Sequence, residues 1–445
     1  MSHPPSPWPL PPPLRLAVEE LGFAVPTPVQ AATLPPLLAG RDVLARARTG
    51  SGKTAAYGLP AIAAVDLSVR RVQVLVLVPT RELALQVTAD LRALGKRSPG
   101  LRVVPVVGGQ PGAVQARTLA EGAHVVVGTP GRTVDHLRRS TLDVGAVRLL
   151  VLDEADRLLE LGFAAELEAA RAALPEGRQT ALFSATYPDG VARLSAGWQR
   201  DVVVVEVEEP PSPDVASFAA EAPDKARALP ALLRALQPAS ALVFCNFKRV
   251  VDEVTAALVA AGFDAAALHG DVDQVDRDRV LAGFRNGSVR VLVATDVAAR
   301  GLDITGLPLV VNAQVTPRAE DHVHRVGRTG RAGEPGLAWS LLDPGAPLPA
   351  GAVRAPLPEP AAGAPPLRAA WRTLWLGAGR RDKLRPADLL GALTGDCGLT
   401  AAQVGRFELH DRWAFAAVAT EVAEQALKGL QRHGVKGRKV RVAPA

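Results

Sequence analysis

Eight residues, Ala47-Arg48-Thr49-Gly50-Ser51-Gly52-Lys53-Thr54, constrain this chain more than any others. Glycines let backbone N–H groups approach phosphate oxygens, Lys53 supplies a point charge for terminal phosphates, and the Thr54 hydroxyl can ligate Mg²⁺. The first glycine of the general pattern is replaced by Ala47. A loop of this kind belongs between a strand and a helix, so the surrounding chain must supply an α/β sheet. A second signal follows a hundred residues later, where the apolar run Val147–Leu152 ends in Asp153-Glu154-Ala155-Asp156. That run reads as a buried parallel strand with carboxylates at its tip. Asp153 is placed to hold a metal and Glu154 to polarise an attacking water. Each signal has a bland counterpart, a Gly/Ser turn or a charged helix start. Together and in this order they predict a site for a nucleoside triphosphate on magnesium.

Short β-branched runs alternate with helical patterns through most of the chain. Val72–Val78, Val103–Val107, His124–Val127, Leu149–Leu152 and Thr180–Phe183 read as strands, and Glu82–Leu94 and Glu166–Leu174 as helices. This predicts a doubly wound parallel-sheet domain over residues 1–207, with functional loops at the C-terminal ends of its strands. Three prolines and a charge cluster mark residues 208–222 as a linker. The alternation then restarts at Ala241–Cys245, Ala265–Leu268, Val289–Val293, Leu309–Asn312 and Leu337–Leu342, predicting a second α/β domain over 223–343. Residues 344–368 are rich in Pro, Ala and Gly and read as an extended linker. Residues 369–445 fit one small α+β domain.

Charge is unevenly placed along this order. The net charge is +6, yet residues 368–445 hold 14 Lys/Arg against 7 Asp/Glu, leaving the rest of the chain nearly balanced. Such asymmetry predicts an appended polyanion-binding module. Cys245 and Cys397 fit no metal spacing and suit a reducing compartment. The proline-rich start has no secretory pattern, and no apolar run reaches membrane-spanning length, so a cytoplasmic protein without membrane contact is expected.

Several short motifs sit after the predicted strands: Pro79-Thr80-Arg81-Glu82, Gly108-Gly109, Thr129-Pro130-Gly131-Arg132, and Ser184-Ala185-Thr186. Upstream lies Gly22-Phe23-Ala24-Val25-Pro26-Thr27-Pro28-Val29-Gln30. The second domain carries His269-Gly270, Gln274-Val275-Asp276-Arg277, Ala294-Thr295-Asp296, Arg300-Gly301-Leu302-Asp303 and His324-Arg325-Val326-Gly327-Arg328-Thr329-Gly330-Arg331. Three arginines at three-residue spacing cannot all be buried in an ordinary core. Over residues 21–336 this ordered set resembles the DEAD-box ATP-dependent RNA helicases of superfamily 2. The tail, with Gly391-Ala392-Leu393-Thr394-Gly395-Asp396 and Val435-Lys436-Gly437-Arg438-Lys439-Val440, resembles the C-terminal RNA-binding domain of the DbpA-type bacterial members, an atypical RRM.

The resemblance implies two tandem RecA-like domains followed by an RRM-like domain. It implies that Gln30 reads the adenine edge and Phe23 stacks on the base, with Trp8 as the candidate substitute for an absent upstream phenylalanine. Thr49, Gly50, Ser51, Gly52, Lys53 and Thr54 would hold ATP, Thr54 and Asp153 the Mg²⁺. Asp303 would meet the ribose, and Arg328 and Arg331 would act as arginine fingers. Asp156, Ser184, Thr186 and His324 would couple hydrolysis to RNA binding. Pro79, Thr80, Arg81, Gly109, Thr129, Pro130, Gly131, Arg132, Gln274, Arg277, Thr295 and Asp296 would grip one RNA strand by its backbone, without reading sequence. Lys383, Arg385, Lys436, Arg438 and Lys439 are the tail's RNA candidates, with Lys383 and Arg385 flanking a helix start and the others on a basic last strand. Trp413 and Phe415 share one face of a strand over 412–418 and are expected to pack rather than stack on bases.

The implied activity is RNA-dependent ATP hydrolysis that closes and reopens two domains and separates strands locally. The implied target is 23S ribosomal RNA during 50S subunit assembly, with a monomeric enzyme. A general RNA chaperone or remodeller in mRNA decay or cold adaptation, an ATP-switched RNA clamp, and a DNA helicase are the alternatives. RNA would be distinguished from DNA by its 2′-OH.

Overall fold

Four-residue runs of Val and Leu form strands that are covered on both faces, which is why the sheets they build are parallel. In the computed structural model, residues 8–47, 50–207, 215–299, 306–316, 318–330 and 335–445 are described, apart from the side chain of Glu320. The first unit carries β1 (Val43–Arg46), β2 (Val74–Leu77), β3 (Val103–Val106), β4 (Val125–Gly128), β5 (Leu149–Leu152), β6 (Gln179–Ser184) and β7 (Val203–Glu206). Their order is β3-β4-β2-β5-β6-β1-β7, and every pairing is parallel. The two-residue period of a strand divides its side chains between two cores. Val74, Val76, Val151, Ala181 and Phe183 pack into one core, and Leu75, Leu77, Leu150, Leu152 and Leu182 into the other.

The second unit repeats the plan with β8 (Val215–Glu221), β9 (Ala241–Cys245), β10 (Ala265–Leu268), β11 (Val291–Thr295), β12 (Leu309–Asn312), β13 (Gly336–Leu342) and β14 (Val353–Arg354), ordered β10-β11-β9-β12-β13-β8-β14 and again parallel. Two expectations are corrected here. The segment read as a linker over 208–222 contains β8, which pairs along all of β13. Its Ala- and Ser-rich composition hid a strand whose burial comes from its neighbours. The second linker, 344–368, contributes β14 to the sheet edge beside β8, and Leu367 is buried in the second domain's core.

The tail folds as an antiparallel sheet of β15 (Trp371–Leu376), β16 (Val404–Leu409), β17 (Ala414–Ala419) and β18 (Val442–Pro444), ordered β16-β17-β15-β18. One face, through Leu374, Leu376, Ala414, Ala416 and Val418, packs on Leu389, Leu393, Ala426 and Leu430 from the helical segments. The other face carries Thr373, Trp375 and Phe415, with Trp375 and Phe415 directly opposite each other. Phe415 is fully buried and Trp413 half-buried, in line with a packing role. The expected basic last strand is corrected: Lys436, Arg438 and Lys439 lie in and just after a tight turn closed between Val435 and Arg438, and β18 begins only at Val442. Lys436 takes φ 55°, the left-handed conformation such a turn requires.

Candidate nucleotide and RNA sites

β1 delivers the chain into the glycine-rich loop, and the helix Lys53–Ala63 leaves it. Gly50 and Gly52 have φ 89° and 92°, a backbone turn open to glycine and strained for other residues. A side chain at Gly52 would also collide with Gln30, whose Nε2 would stand 2.4 Å from the added Cβ. Gln30 is buried and locked in place: its Nε2 donates to Gly52 O (3.0 Å), and its Oε1 accepts from Thr27 N (2.9 Å). Thr27 Oγ1 donates to Ser51 O at 2.8 Å. Thr27 and Gln30 thus brace the loop from the start of the helix Pro28–Leu38. Phe23 is exposed, and its ring lies against buried Trp8, centroids 6.5 Å apart; Trp8 Nε1 donates to Phe23 O.

Lys53 is buried, and its Nζ has no hydrogen-bond partner among the described residues. Its nearest carboxylate oxygen is Asp153 Oδ1, 3.8 Å away. Burying an ammonium without hydrogen bonds is costly, so the amine is set up for an anionic ligand, and a triphosphate fits. Asp153 follows β5 and is fixed by two donors: Glu154 N to Oδ1 (2.9 Å) and Tyr57 Oη to Oδ2 (2.9 Å). Burial first, then the Asp153 charge, pushes the Tyr57 phenol well above its ordinary value, so it stays a donor. Tyr57 was missed in the sequence; its position four residues after Lys53 on one helix face is the signal that could have found it. Glu154 is buried at φ 52°, a strained conformation for a non-glycine residue.

Beyond β6 the chain ties back to this tip. Thr186 donates to Asp156 Oδ2 from its N (2.9 Å) and its Oγ1 (2.7 Å), and Asp156 N donates to Ser184 Oγ at 3.2 Å. Burial alone would raise the Asp156 carboxyl, but the Thr186 hydrogen bonds and the Lys53 charge outweigh it and hold it below its ordinary value. Asp156, Ser184 and Thr186 are therefore one hydrogen-bonded unit directly behind Asp153 and Glu154.

Sheet order then separates two sets of candidates. The nucleotide and coupling candidates of the first unit follow β1, β5 and β6, which are neighbours; the strand-gripping candidates follow β2, β3 and β4, which are neighbours on the other half. After β2 come Pro79, Thr80 and Arg81, with Thr80 Oγ1 capping the helix Arg81–Leu94 at Leu83 N. Arg81 Nε and Nη1 are buried without a hydrogen-bond partner among the described residues, which suits a phosphate oxygen. After β3 lies Gly109 with φ 74°. After β4, Thr129 and Pro130 start the helix Pro130–Arg138, with Gly131 exposed and Arg132 3.9 Å from Asp135.

In the second unit the arginine motif is more buried than its spacing alone indicated. Arg325 is the largest fully buried side chain among the described residues, and Arg328 is also buried. Arg325 pairs with Asp296 through two hydrogen bonds and donates to Asn246 Oδ1 (2.7 Å) and Gln314 O (2.6 Å). Its guanidinium lies over Phe244, 5.1 Å from the ring centre. Asp296 is thus committed to Arg325, which qualifies its reading as an RNA-side residue. Thr295 is buried at the end of β11, and His324 is half-buried on the helix Ala319–Val326. Gln274 and Arg277 open the helix Gln274–Arg285; Arg277 Nη2 donates to Ala298 O at 2.7 Å. Thr49, Asp303 and Arg331 lie outside the described residues.

In the tail, Lys383 and Arg385 flank the start of the helix Pro386–Gly391. Lys436 reaches back to Asp388 at 2.8 Å, so the basic turn and this helix start form one patch. Arg438 and Lys439 are exposed beside it.

Comparison with known proteins identifies the domains that carry these candidates. A DEAD/DEAH box helicase model matches residues 27–194, a helicase conserved C-terminal domain 224–333, and a DbpA RNA binding domain 373–444. The chain is 44% identical to the ATP-dependent RNA helicase DbpA of Escherichia coli (strain K12), over 97% of each. It is also 44% identical to the DEAD-box ATP-dependent RNA helicase CshA of Bacillus cereus, covering 74% of this chain and 64% of that relative. Among solved structures, S. cerevisiae Dbp5 bound to RNA and ADP BeF3 aligns with a TM-score of 0.70 at 28% identity, over 78% of this chain and 94% of that one. The chain belongs to the DEAD-box ATP-dependent RNA helicases, and it ends in a DbpA RNA-binding domain. Its two RecA-like sheets and its antiparallel tail are the parts of that enzyme, an RNA-dependent ATPase.

Proposed function

We propose that this helicase remodels 23S ribosomal RNA during assembly of the 50S subunit, working in the cytoplasm as a monomer. The observation that carries the reading is the division of labour within the chain. The residues after β2, β3 and β4 are suited to phosphates, which hold no sequence information. Selectivity then falls to the DbpA RNA-binding domain, with its basic patch at Lys383, Arg385, Lys436, Arg438 and Lys439. The resemblance of that tail to the DbpA type supports a large-subunit RNA as its target.

In this reading Gln30 and Phe23 select adenine, and Gly50, Ser51, Gly52 and Lys53 cradle the phosphates. Asp153 and Thr54 would hold Mg²⁺, which neutralises charge on the β- and γ-phosphates when bound. Glu154, fixed at the end of β5, orients the attacking water. Asp156, Ser184, Thr186 and His324 relay RNA occupancy to that tip. By the resemblance, Asp303, Arg328 and Arg331 serve the same nucleotide, so turnover needs both helicase domains.

The deciding experiment compares ATPase stimulation by 23S rRNA fragments, unrelated RNA of equal length, and DNA. Preferential stimulation by the 23S fragments is expected. Equal stimulation by unrelated RNA removes the ribosomal assignment, and equal stimulation by DNA removes RNA selectivity altogether.

A further inference from the structure

The sheet of the RNA-binding domain lies along the helix Gln274–Arg285 of the second RecA-like domain, and that helix carries strand-gripping candidates at its other end. Several contacts secure the dock. Arg285 Nη1 pairs with Glu408 Oε2 (3.1 Å), Asn286 Nδ2 donates to Thr373 Oγ1 (2.9 Å), and Arg372 Nη1 donates to Asp264 Oδ1 (3.1 Å). Asp278, in the middle of the helix, does something else. Its Oδ1 accepts from Gln274 Nε2 at 2.8 Å, one turn back, while its Oδ2 faces His410 Nδ1 of the RNA-binding domain at 3.6 Å.

His410 is held rigidly in turn. Its ring is stacked on Trp413 (centroids 5.6 Å) and meets Phe415 edge-on (5.5 Å), its N donates to Trp413 O, and its O accepts from Arg380 N. Asp278 Oδ2 is buried without a hydrogen bond among the described residues. A half-satisfied carboxylate at an interface costs stability, and the dock is already secured by stronger pairs. Its closest contact, to Gln274, is therefore the one to explain. A carboxylate can only accept, so it fixes which end of the Gln274 carboxamide faces inward and leaves the amide oxygen available to a ligand.

We propose that Asp278 is a positioning residue that presents the Gln274 carboxamide to the RNA strand, and that His410 of the RNA-binding domain seats Asp278 for this task. The inference rests on the reading of Gln274 as an RNA contact. The seat of the appended domain thus reaches the grip of the helicase core through two side chains.

The test measures RNA-stimulated ATPase of the full chain with poly(U), reading half-saturating RNA and kcat separately. Gln274→Ala and Asp278→Ala are each expected to raise half-saturating poly(U) by roughly fivefold, with kcat nearly unchanged. The double variant is expected to be no worse than Gln274→Ala alone, because both remove one interaction. Asp278→Asn, which keeps an acceptor for Gln274, is expected to restore most of the loss, and His410→Ala to reproduce part of it. If Asp278→Ala leaves half-saturation unchanged while Gln274→Ala raises it, or if the two add fully, the positioning role is overturned and the Gln274 contact stands. A fall in kcat alone for Asp278→Ala likewise overturns it, as a structural effect. If Gln274→Ala itself changes nothing, the underlying contact falls and the positioning role with it.

Discussion

Arg325 and Asp296 meet as a two-pronged ion pair, Nε to Oδ1 at 2.7 Å and Nη2 to Oδ2 at 2.5 Å, inside the second RecA-like domain. Arg325 also donates to Asn246, which follows β9, and to Gln314, which follows β12, while Asp296 follows β11. One guanidinium therefore fastens together the C-terminal ends of three neighbouring strands. Removing one partner of a buried pair leaves the other charge uncompensated and typically costs about 3–5 kcal/mol. Arg325→Ala is expected to destabilise the second unit by that order in urea unfolding. Arg325→Lys should recover little, since an ammonium cannot reproduce the planar fork.

This pair marks where the sequence stops being legible. The nucleotide loops could be read because their chemistry is local: Lys53 and Thr54 adjoin the glycines, and Asp153 and Glu154 adjoin their strand. The burial of Arg325 depends on Asn246, Asp296 and Asn312, which lie at the ends of three different strands and each accept a hydrogen bond from it, so its neighbours in sequence gave no sign of it. β8 was hidden for a similar reason, since Val215–Glu221 has few large apolar residues and becomes a strand only beside β13. Nor did the tail's own sequence reveal that its sheet lies on the helix Gln274–Arg285. The ties there, such as Arg285 to Glu408, span more than a hundred residues.

Lys53→Ala is expected to abolish ATP turnover while leaving RNA binding through the tail intact, because Lys53 lies in the first unit and the basic patch in the second. Glu154→Gln should retain ATP binding and lose turnover by roughly 10²–10⁴-fold, the usual worth of a positioned general base. Phosphate release and fluorescent-nucleotide titration separate the two outcomes. Unchanged turnover in Glu154→Gln would refute its assignment.

Tyr57→Phe deletes the hydroxyl that holds Asp153 Oδ2 at 2.9 Å and leaves the ring contact with Phe183 in place. Hydrogen bonds to charged groups contribute about 1.5–3 kcal/mol. The expected result is a higher Mg-ATP concentration for half-maximal rate, together with a lower thermal midpoint, because a buried carboxylate oxygen is left without its donor. Titrating Mg²⁺ at saturating ATP checks this directly.

Asp156 gives the first unit an acid-sensitive element. Its folded carboxyl titrates below the ordinary value of 3.8. Its contribution is therefore complete above that value and is lost as pH falls through the lower, folded value. Thr186→Val removes the 2.7 Å hydroxyl bond that helps depress it. The variant should be less stable at neutral pH by roughly 1–2 kcal/mol, with the gap to the unmodified protein narrowing once pH drops below the ordinary value. Urea midpoints across the acid range read this out, and a pH-independent gap would contradict it.

Arg438 and Lys439 are exposed, and no ion pair links either to a neighbouring carboxylate among the described residues, unlike Lys436, which is held by Asp388. Both follow the tight turn whose left-handed residues are Lys436 and Gly437, so replacing them leaves the turn's backbone unstrained. Each cation that neutralises a phosphate releases counterions and adds about 0.7–0.9 to the slope of log K against log salt. The double variant Arg438→Gln, Lys439→Gln is therefore expected to lower that slope for a 23S rRNA fragment by about 1.4–1.8. Stimulation by poly(U) should be nearly unaffected, because the core's own candidates at Arg81, Arg132 and Arg277 remain. Selective loss on the ribosomal fragment would assign the basic patch to target choice, whereas parallel loss on both RNAs would make it a general electrostatic aid.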